Sequence, residues 1–207
     1  MEPQIYTDTA SVEQIVEWAT DEFSKLNTTN FSLVIADEKL VEERRKLFRY
    51  RFKRRYWISI LSRLPKWLRF NILHRFILSI GEVVADKFLG DAIAETCNQE
   101  TDMQDSVIVY PEHFYTYIKK MKERVVPFEI VVRDTIRHEL RHVEQIKEMR
   151  RVNINPSIAF SFEGLMFKYG KGPLETDAFE FQEGNEVASI EEVISGLKDQ
   201  MVKKGWY

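Results

Sequence analysis

Two histidines stand four positions apart in the stretch His138-Glu139-Leu140-Arg141-His142, which has the pattern HExxH. On an α-helix, residues four apart lie one turn apart on the same face, so both imidazoles can bind one metal ion. The glutamate between them can then act on a water molecule bound to that ion. These residue types at this spacing predict a metal site with His138 and His142 as ligands and Glu139 as the proton acceptor.

The helix that carries this pattern has three faces, whereas an ordinary amphipathic surface helix needs only an apolar face and a solvent face. The histidines belong to neither of those two faces. The alternative interpretation is a pair of surface histidines with Glu139 as one more solvated charge. The apolar face holds Val132, Ile136, Leu140 and Val143; the charged face holds Arg133, Arg137, Arg141, Glu144 and Glu148; the third face holds Thr135, His138, His142 and Gln145.

A catalytic zinc site needs a third protein ligand and one open position for water. The continuation HExxHxxGxxH would supply a histidine, but Glu148 stands at that position. A glutamate on a second helix is the other source. Gly172-Pro173 has the composition of a helix start, since proline is favoured at the first helical position. Glu175 would then project from the first turn, and Ala178, one turn later, is small enough for close helix approach.

The two motifs HELRH and PLETDA together resemble the gluzincin metallopeptidases. The resemblance is closest to the minigluzincins and related compact single-domain proteins encoded by bacteria and their phages. It implies an α+β, mainly helical zincin-like domain with a small mixed sheet and an active-site helix carrying HExxH. It also implies one Zn²⁺ held by His138, His142 and Glu175, with Glu139 as general base in the hydrolysis of a peptide or protein substrate.

Several further side chains have candidate roles that the sequence leaves open. On the predicted second helix, Asp177 and Glu180 are rival ligands to Glu175. Related enzymes often add a side chain that stabilises the oxyanion. The candidates for that transition-state role are Tyr169, Tyr110 and His113. The candidates for orienting the two histidines by hydrogen bonds are Asp134, Asp177 and Gln145.

Charge is distributed unevenly along the chain. The net charge is −3, but residues 44–81 contain twelve Lys or Arg and no Asp or Glu, so the rest carries −15. Aromatic residues alternate with these charges within a basic aromatic-rich segment at about 40–88. Such a segment suits an anionic membrane surface or, less well, a nucleic acid. The third possibility is an insertion that packs its apolar side on the domain. Accordingly, a non-catalytic zincin-scaffold protein that binds a membrane or nucleic acid is the alternative function.

Length and composition indicate one globular domain spanning residues 1–207. The single cysteine, Cys97, excludes an intrachain disulfide and fits a reducing compartment. The polar, acidic start of the chain does not resemble a signal peptide, and no apolar run reaches the roughly 20 residues of a membrane span. We therefore expect a cytoplasmic protein, with peripheral membrane or virion association as further possibilities; the oligomeric state stays open.

The remaining pattern predicts the elements around the site. We expect helices at 12–26, 57–64, 67–88, 111–122, 127–151 and 189–203, strands at 31–36, 92–97 and 106–110, and a strand or helix at 47–53. In gluzincin-like folds an edge strand aligns an extended substrate beside the active helix. Residues 107–110 are predicted to be that edge strand.

Overall fold

A computed structural model describes residues 10–25, 30–44, 46, 92–97, 105–120, 126–167 and 170–207. This part of the chain is mostly helical, with one small mixed sheet, which confirms the predicted α+β class. Residues 38–44 are also helical. The labelled elements are α1 (Val12–Ser24), β1 (Ser32–Ile35), β2 (Ala94–Cys97), β3 (Ser106–Val109), α2 (Pro111–Lys120), α3 (Phe128–Arg151), α4 (Pro156–Met166), α5 (Pro173–Gln182) and α6 (Ile190–Lys203).

The helix starts follow from local residue types. α1 and α6 both begin with a capping box, in which a serine hydroxyl and a side chain three positions later satisfy each other's backbone N–H groups. The serines are Ser11 and Ser189, and the partners are Gln14 and Glu192. α5 begins as predicted, with Gly172 as its N-cap and proline at its first position. Short-range chemistry therefore accounts for these boundaries.

Helix α3 is the central element of the fold. It has 24 residues and is therefore about 36 Å long. All four residues of its predicted apolar face are buried. Its N-terminal two thirds pack in a core with α1, α2 and one face of the sheet. Its C-terminal end packs in a second core with α4, α5 and α6. The helix that carries HExxH is consequently held on several sides.

The sheet has the strand order β1-β3-β2. β1 pairs with β3 in parallel, and β2 pairs with β3 antiparallel. The prediction that residues 107–110 form an edge strand is wrong, because β3 is central and all four of its residues are buried. A continuous apolar run is typical of a strand covered on both faces. Pairing with β1, more than seventy positions earlier in the chain, is a long-range contact that local alternation does not reveal.

Ion pairs join α1 to the outer face of α3. The carboxylate of Glu22 is buried and accepts hydrogen bonds from Lys25 (2.7 Å), Arg137 (2.8 Å) and Arg133 (3.2 Å). Arg133 also pairs with Asp21. Burial acts to raise the pKa of Glu22, but the hydrogen bonds and charges of its three partners outweigh burial and leave the pKa below its ordinary value.

Most of the basic aromatic-rich segment lies outside the described residues, as do the elements expected at 47–53, 57–64 and 67–88. Its first basic residue, Arg44, is buried and donates to the carboxylate of Glu95 through Nε at 2.8 Å and a terminal nitrogen at 2.5 Å. The same guanidinium lies 3.3 Å from the sulfur of Cys97, and Tyr110 donates to Glu95. Arg44 thus belongs to the packing of the sheet. In the described residues, no helix is both long and apolar enough to span a bilayer.

Replacing Glu22 with glutamine should make the free energy of unfolding depend less on pH in the acidic range. A carboxylate with a depressed folded pKa stabilises the fold above its unfolded value of 4.5, and this contribution is lost as the pH falls through the folded pKa. We expect Glu22→Gln to reduce the free energy of unfolding by about 1–3 kcal/mol at pH 7, and by less below about pH 4. Urea unfolding across pH tests this, with Glu17→Gln at an exposed α1 position as the control. An equal loss at both pH values would contradict the account.

Candidate metal centre

The two histidines of HExxH face each other on one side of α3. Their Nε2 atoms lie 3.2 Å apart, and their rings are perpendicular with centroids separated by 4.8 Å. Both side chains are buried, His138 at 9% and His142 at 6% exposure. The interpretation as two surface histidines is therefore wrong. A buried imidazole nitrogen needs a partner, and the Nε2 atoms of both rings point at one spot.

Glu175 supplies a carboxylate at that spot. Its Oε2 lies 3.5 Å from Nε2 of His138, and its Oε1 lies 3.6 Å from Nε2 of His142. Glu175 projects from the first turn of α5, and Ala178, for which the sequence predicted close helix approach, is fully buried. In the part of the chain that the structure describes, these three residues are the one group of His, Cys, Asp or Glu side chains found able to hold a metal ion.

The two imidazoles and the Glu175 carboxylate are close enough together to share one ion. An ion with bonds of about 2.0–2.2 Å to nitrogen and oxygen separates its ligand atoms by about 3.3–3.6 Å. The two Nε2 atoms are 3.2 Å apart, close to that range, and each lies 3.5 or 3.6 Å from a different oxygen of Glu175. One ligand atom from each of the three residues lies within 4.8 Å of the other two. Two imidazoles and one carboxylate are also a donor set of catalytic metal sites, which leave a fourth position open. The residues present therefore fit a bound metal.

Electrostatics within the group favour positive charge between the ligands. Burial acts to raise the pKa of the Glu175 carboxyl. The interactions with His138 and His142 lower this pKa by more than burial raises it, so the net shift is downward. Burial acts to lower the pKa of His138, but Glu175 and Glu139 outweigh burial and raise it. A carboxylate held ionised beside two imidazoles attracts a cation.

A buried hydrogen-bond relay orients His142. Its Nδ1 lies 2.8 Å from Oε1 of Gln145, whose amide nitrogen donates to Leu174 O at 3.0 Å and to Asp177 Oδ2 at 2.7 Å. Because both amide hydrogens are used, the amide oxygen must face His142 and accept from Nδ1–H. The Nε2 of His142 then keeps its lone pair for a metal. The carboxylate of Asp177 is in turn held by Arg141 at 2.8 and 2.9 Å.

This relay decides between the candidates for orienting the histidines. Gln145 contacts His142 directly, and Asp177 acts through Gln145. Asp134 instead pairs with Arg137 at 3.2 Å. The sequence pattern placed Arg141 on the charged face of the helix. In the structure it is buried, because α5 covers it and supplies its partner, Asp177. Asp177 is thereby a support for a ligand and does not itself reach the metal group.

Aromatic rings enclose the two imidazoles. Phe179 on α5 lies against His138, with centroids 4.6 Å apart, and Phe160 on α4 lies edge-on to His142 at 5.5 Å. Among the described residues, Nδ1 of His138 has no hydrogen-bond partner although it is buried. Ring packing therefore fixes the orientation of His138, whereas a hydrogen bond fixes that of His142.

Glu139 is held by a residue that the sequence pattern did not indicate. The hydroxyl of Thr96 on β2 lies 2.7 Å from Oε2 of Glu139 and 3.0 Å from its backbone oxygen. The Glu139 side chain is buried, and its charge contributes to the raised pKa of His138. Thr96 is 43 positions from Glu139 in the chain, so no local signal could connect the two.

The other candidate residues lie elsewhere. His113 is close to Ala92 O through Nδ1 at 2.6 Å and stacks on Tyr110 at 5.2 Å; these contacts do not connect it to the metal group. Tyr110 donates to Glu95 in the packing of the sheet. Tyr169 lies outside the described residues. Glu180 is exposed and lines a groove between α5 and α6. The rival ligand interpretations of Asp177 and Glu180 are not supported by this arrangement.

Comparisons with protein families, curated proteins and solved structures give no match for this chain.

Replacing Asp177 with alanine should weaken metal binding even though Asp177 is not a ligand. The change leaves Arg141 without its buried partner and releases the Gln145 amide that orients His142. Loss of such an orienting group typically lowers metal affinity about 10–100-fold. Competition with a chelator measures this, with Glu180→Ala on the same helix as the control. Equal affinities of the two variants would refute the relay.

Proposed function

We propose that the chain is a zinc-dependent hydrolase of peptide bonds of the gluzincin type. The observation that supports this most strongly is the convergence of His138, His142 and Glu175, whose ligand atoms lie within 4.8 Å of one another. The ordering of ligands along the chain, HExxH followed by a glutamate on a later helix, agrees with the resemblance in sequence. Two imidazoles and a carboxylate suit Zn²⁺ better than Mg²⁺ or Ca²⁺, which prefer oxygen ligands.

The reaction requires a base beside an activated water molecule. A zinc ion bound by the three ligands would lower the pKa of a bound water to about 7 and polarise a carbonyl group. In the proposal, the Glu139 carboxylate accepts a proton from water and returns it to the leaving amine. Thr96 holds this carboxylate in place by its hydroxyl. Phe179 and Phe160 exclude water from the sides of the imidazoles, which strengthens charge interactions between them.

An extended peptide is the substrate shape that this fold can align. In the described sheet, β2 is an edge strand and lies on the side of Glu139. Alternation along β2 directs Thr96 towards α3, while Glu95 points to Arg44 and Tyr110 on the other face. We propose that a substrate adds to the edge of β2 by main-chain hydrogen bonds, the role first predicted for β3.

Variants of the ligands and of the base should have different effects. The wild-type protein should contain about one zinc ion and cleave unfolded protein substrates such as casein. His138→Ala and Glu175→Ala should lose the metal and the activity together. Glu139→Gln should retain the metal but lose activity by about a thousandfold or more, because only proton transfer is removed. Glu129→Gln, near the N-terminal end of the same helix and paired with Arg133, serves as the control.

Metal analysis and cleavage assays together distinguish the possible failures. Zinc content that is unchanged in Glu175→Ala would overturn the ligand assignment. A wild-type protein that holds zinc but cleaves neither casein nor a peptide library would overturn the hydrolase and favour a binding protein built on this scaffold. Sedimentation with anionic liposomes and retention on single-stranded DNA would then test that alternative.

Removing the hydroxyl of Thr96 should slow catalysis without loss of metal. Thr96→Val keeps the shape of the side chain but leaves Glu139 without its hydrogen bond. A hydrogen bond to a charged group contributes about 1.5–3 kcal/mol, so we expect kcat to fall by about tenfold or more. Thr96→Ser should restore most of the rate. Zinc content and kcat are measured on the same preparations, and equal kcat in Thr96→Val and the wild type would contradict the proposed role.

A further inference from the structure

A buried glutamate from α4 contacts the backbone of the helix that carries the third ligand. Glu163 is 4% exposed, and its Oε1 accepts hydrogen bonds from the backbone N–H of Leu174 at 2.9 Å and of Glu175 at 3.2 Å. These amides belong to the first turn of α5, where N–H groups have no acceptor within the helix. The N-cap itself, Gly172, has no side chain to provide one. The cap therefore comes from another helix.

Gly172 leaves the space that the Glu163 carboxylate fills. A Cβ atom built on Gly172 would lie 1.9 Å from Oε1 of Glu163 and 2.3 and 2.4 Å from its Cγ and Cδ. The φ of Gly172 is −77°, which any residue can adopt. Absence of a side chain, and not backbone freedom, is thus the property that this position requires. Glu163 and Gly172 form a matched pair.

The same face of α4 contacts a second member of the metal group. Phe160 precedes Glu163 by three positions, so the two side chains share a face of the helix. The ring of Phe160 lies edge-on to His142 at 5.5 Å. One face of α4 therefore touches the imidazole of one ligand and the backbone of another. Its position affects both sides of the metal group.

We infer that Glu163 is a positioning residue of the metal site, which holds the first turn of α5 so that Glu175 stands at coordinating distance from the two histidines. The inference rests on the proposed metal site. Glu163 does not bind the metal in this role, and the described ligand group does not include it. Its effect passes through the backbone N–H of Glu175.

The experiment measures zinc affinity in four variants of the full chain. Glu163→Ala removes the acceptor, Glu163→Gln keeps an acceptor oxygen, and Gly172→Ala introduces the clash; the fourth combines Glu163→Ala with Gly172→Ala. Glu148→Ala is the matched control, since Glu148 is also buried, at 9% exposure, and its carboxylate accepts hydrogen bonds from Arg151 of its own helix. Chelator competition well below each Tm gives the affinity of folded protein. Hydrogen exchange of the Glu175 amide in the metal-free protein gives a second readout.

We expect Glu163→Ala to weaken zinc binding by about 10–100-fold and to speed exchange of the Glu175 amide, while Glu148→Ala changes neither. Glu163→Gln should recover most of the affinity. Gly172→Ala should weaken zinc binding in the wild-type background. In the double variant it should add no loss to that of Glu163→Ala, because the Glu163 atoms with which the new Cβ would clash have been removed. This pattern separates positioning from general destabilisation, which would lower Tm without this coupling.

Each contrary result has a definite meaning. Affinity of Glu163→Ala equal to that of Glu148→Ala would overturn the inference, as would equal losses from Gly172→Ala in both backgrounds. If Glu163→Ala does not fold, Gly172→Ala alone decides: unchanged zinc affinity and unchanged exchange of the Glu175 amide would overturn the inference. A wild-type protein that binds no zinc would instead refute the proposed metal site itself.

Discussion

The contact between α3 and α5 is the constraint on which the rest of the structure depends. It brings Glu175 to the two histidines of α3. Ala178, the small residue of α5 one turn after Glu175, is fully buried. The contact also buries Arg141, and a buried guanidinium is tolerated only where a carboxylate meets it. The packing of α3 against α5 therefore also assembles the candidate metal site.

Polar groups at this contact have two roles at once. The pair of Arg141 and Asp177 neutralises two buried charges, and Asp177 also holds the Gln145 amide that faces His142. Burial raises the pKa of Glu163 to about 7, with the Glu175 charge adding to the rise and backbone N–H groups opposing it. Groups of this kind are costly to bury, and the hydrogen bonds that they do form restrict the helices to one arrangement. Stability and the geometry of the site are coupled through them.

The sheet contributes to the site through one side chain. β2 places Thr96 against Glu139, and the opposite face of β2 is fixed by Glu95 with Arg44 and Tyr110. Because the two faces alternate, anchoring Glu95 also fixes the direction of Thr96. A substrate strand added beside β2 would lie next to the base that the proposal assigns. The first basic residue of the segment 44–81 thus supports the sheet.

The sequence by itself determined what depends on short spacing. Periodicity, capping and residue type predict the helix start at Gly172-Pro173 and the α+β class, both of which the structure has. The same short-range patterns give His138 and His142 as the proposed metal ligands and Glu139 as the proposed base. Glu175 was also identified, although through a resemblance as well as its place in a helix. Tertiary structure alone decided that β3 is central, and that Thr96 and Glu163 contact the site. Those contacts join distant parts of the chain, and their energies depend on packing and burial that no local pattern specifies.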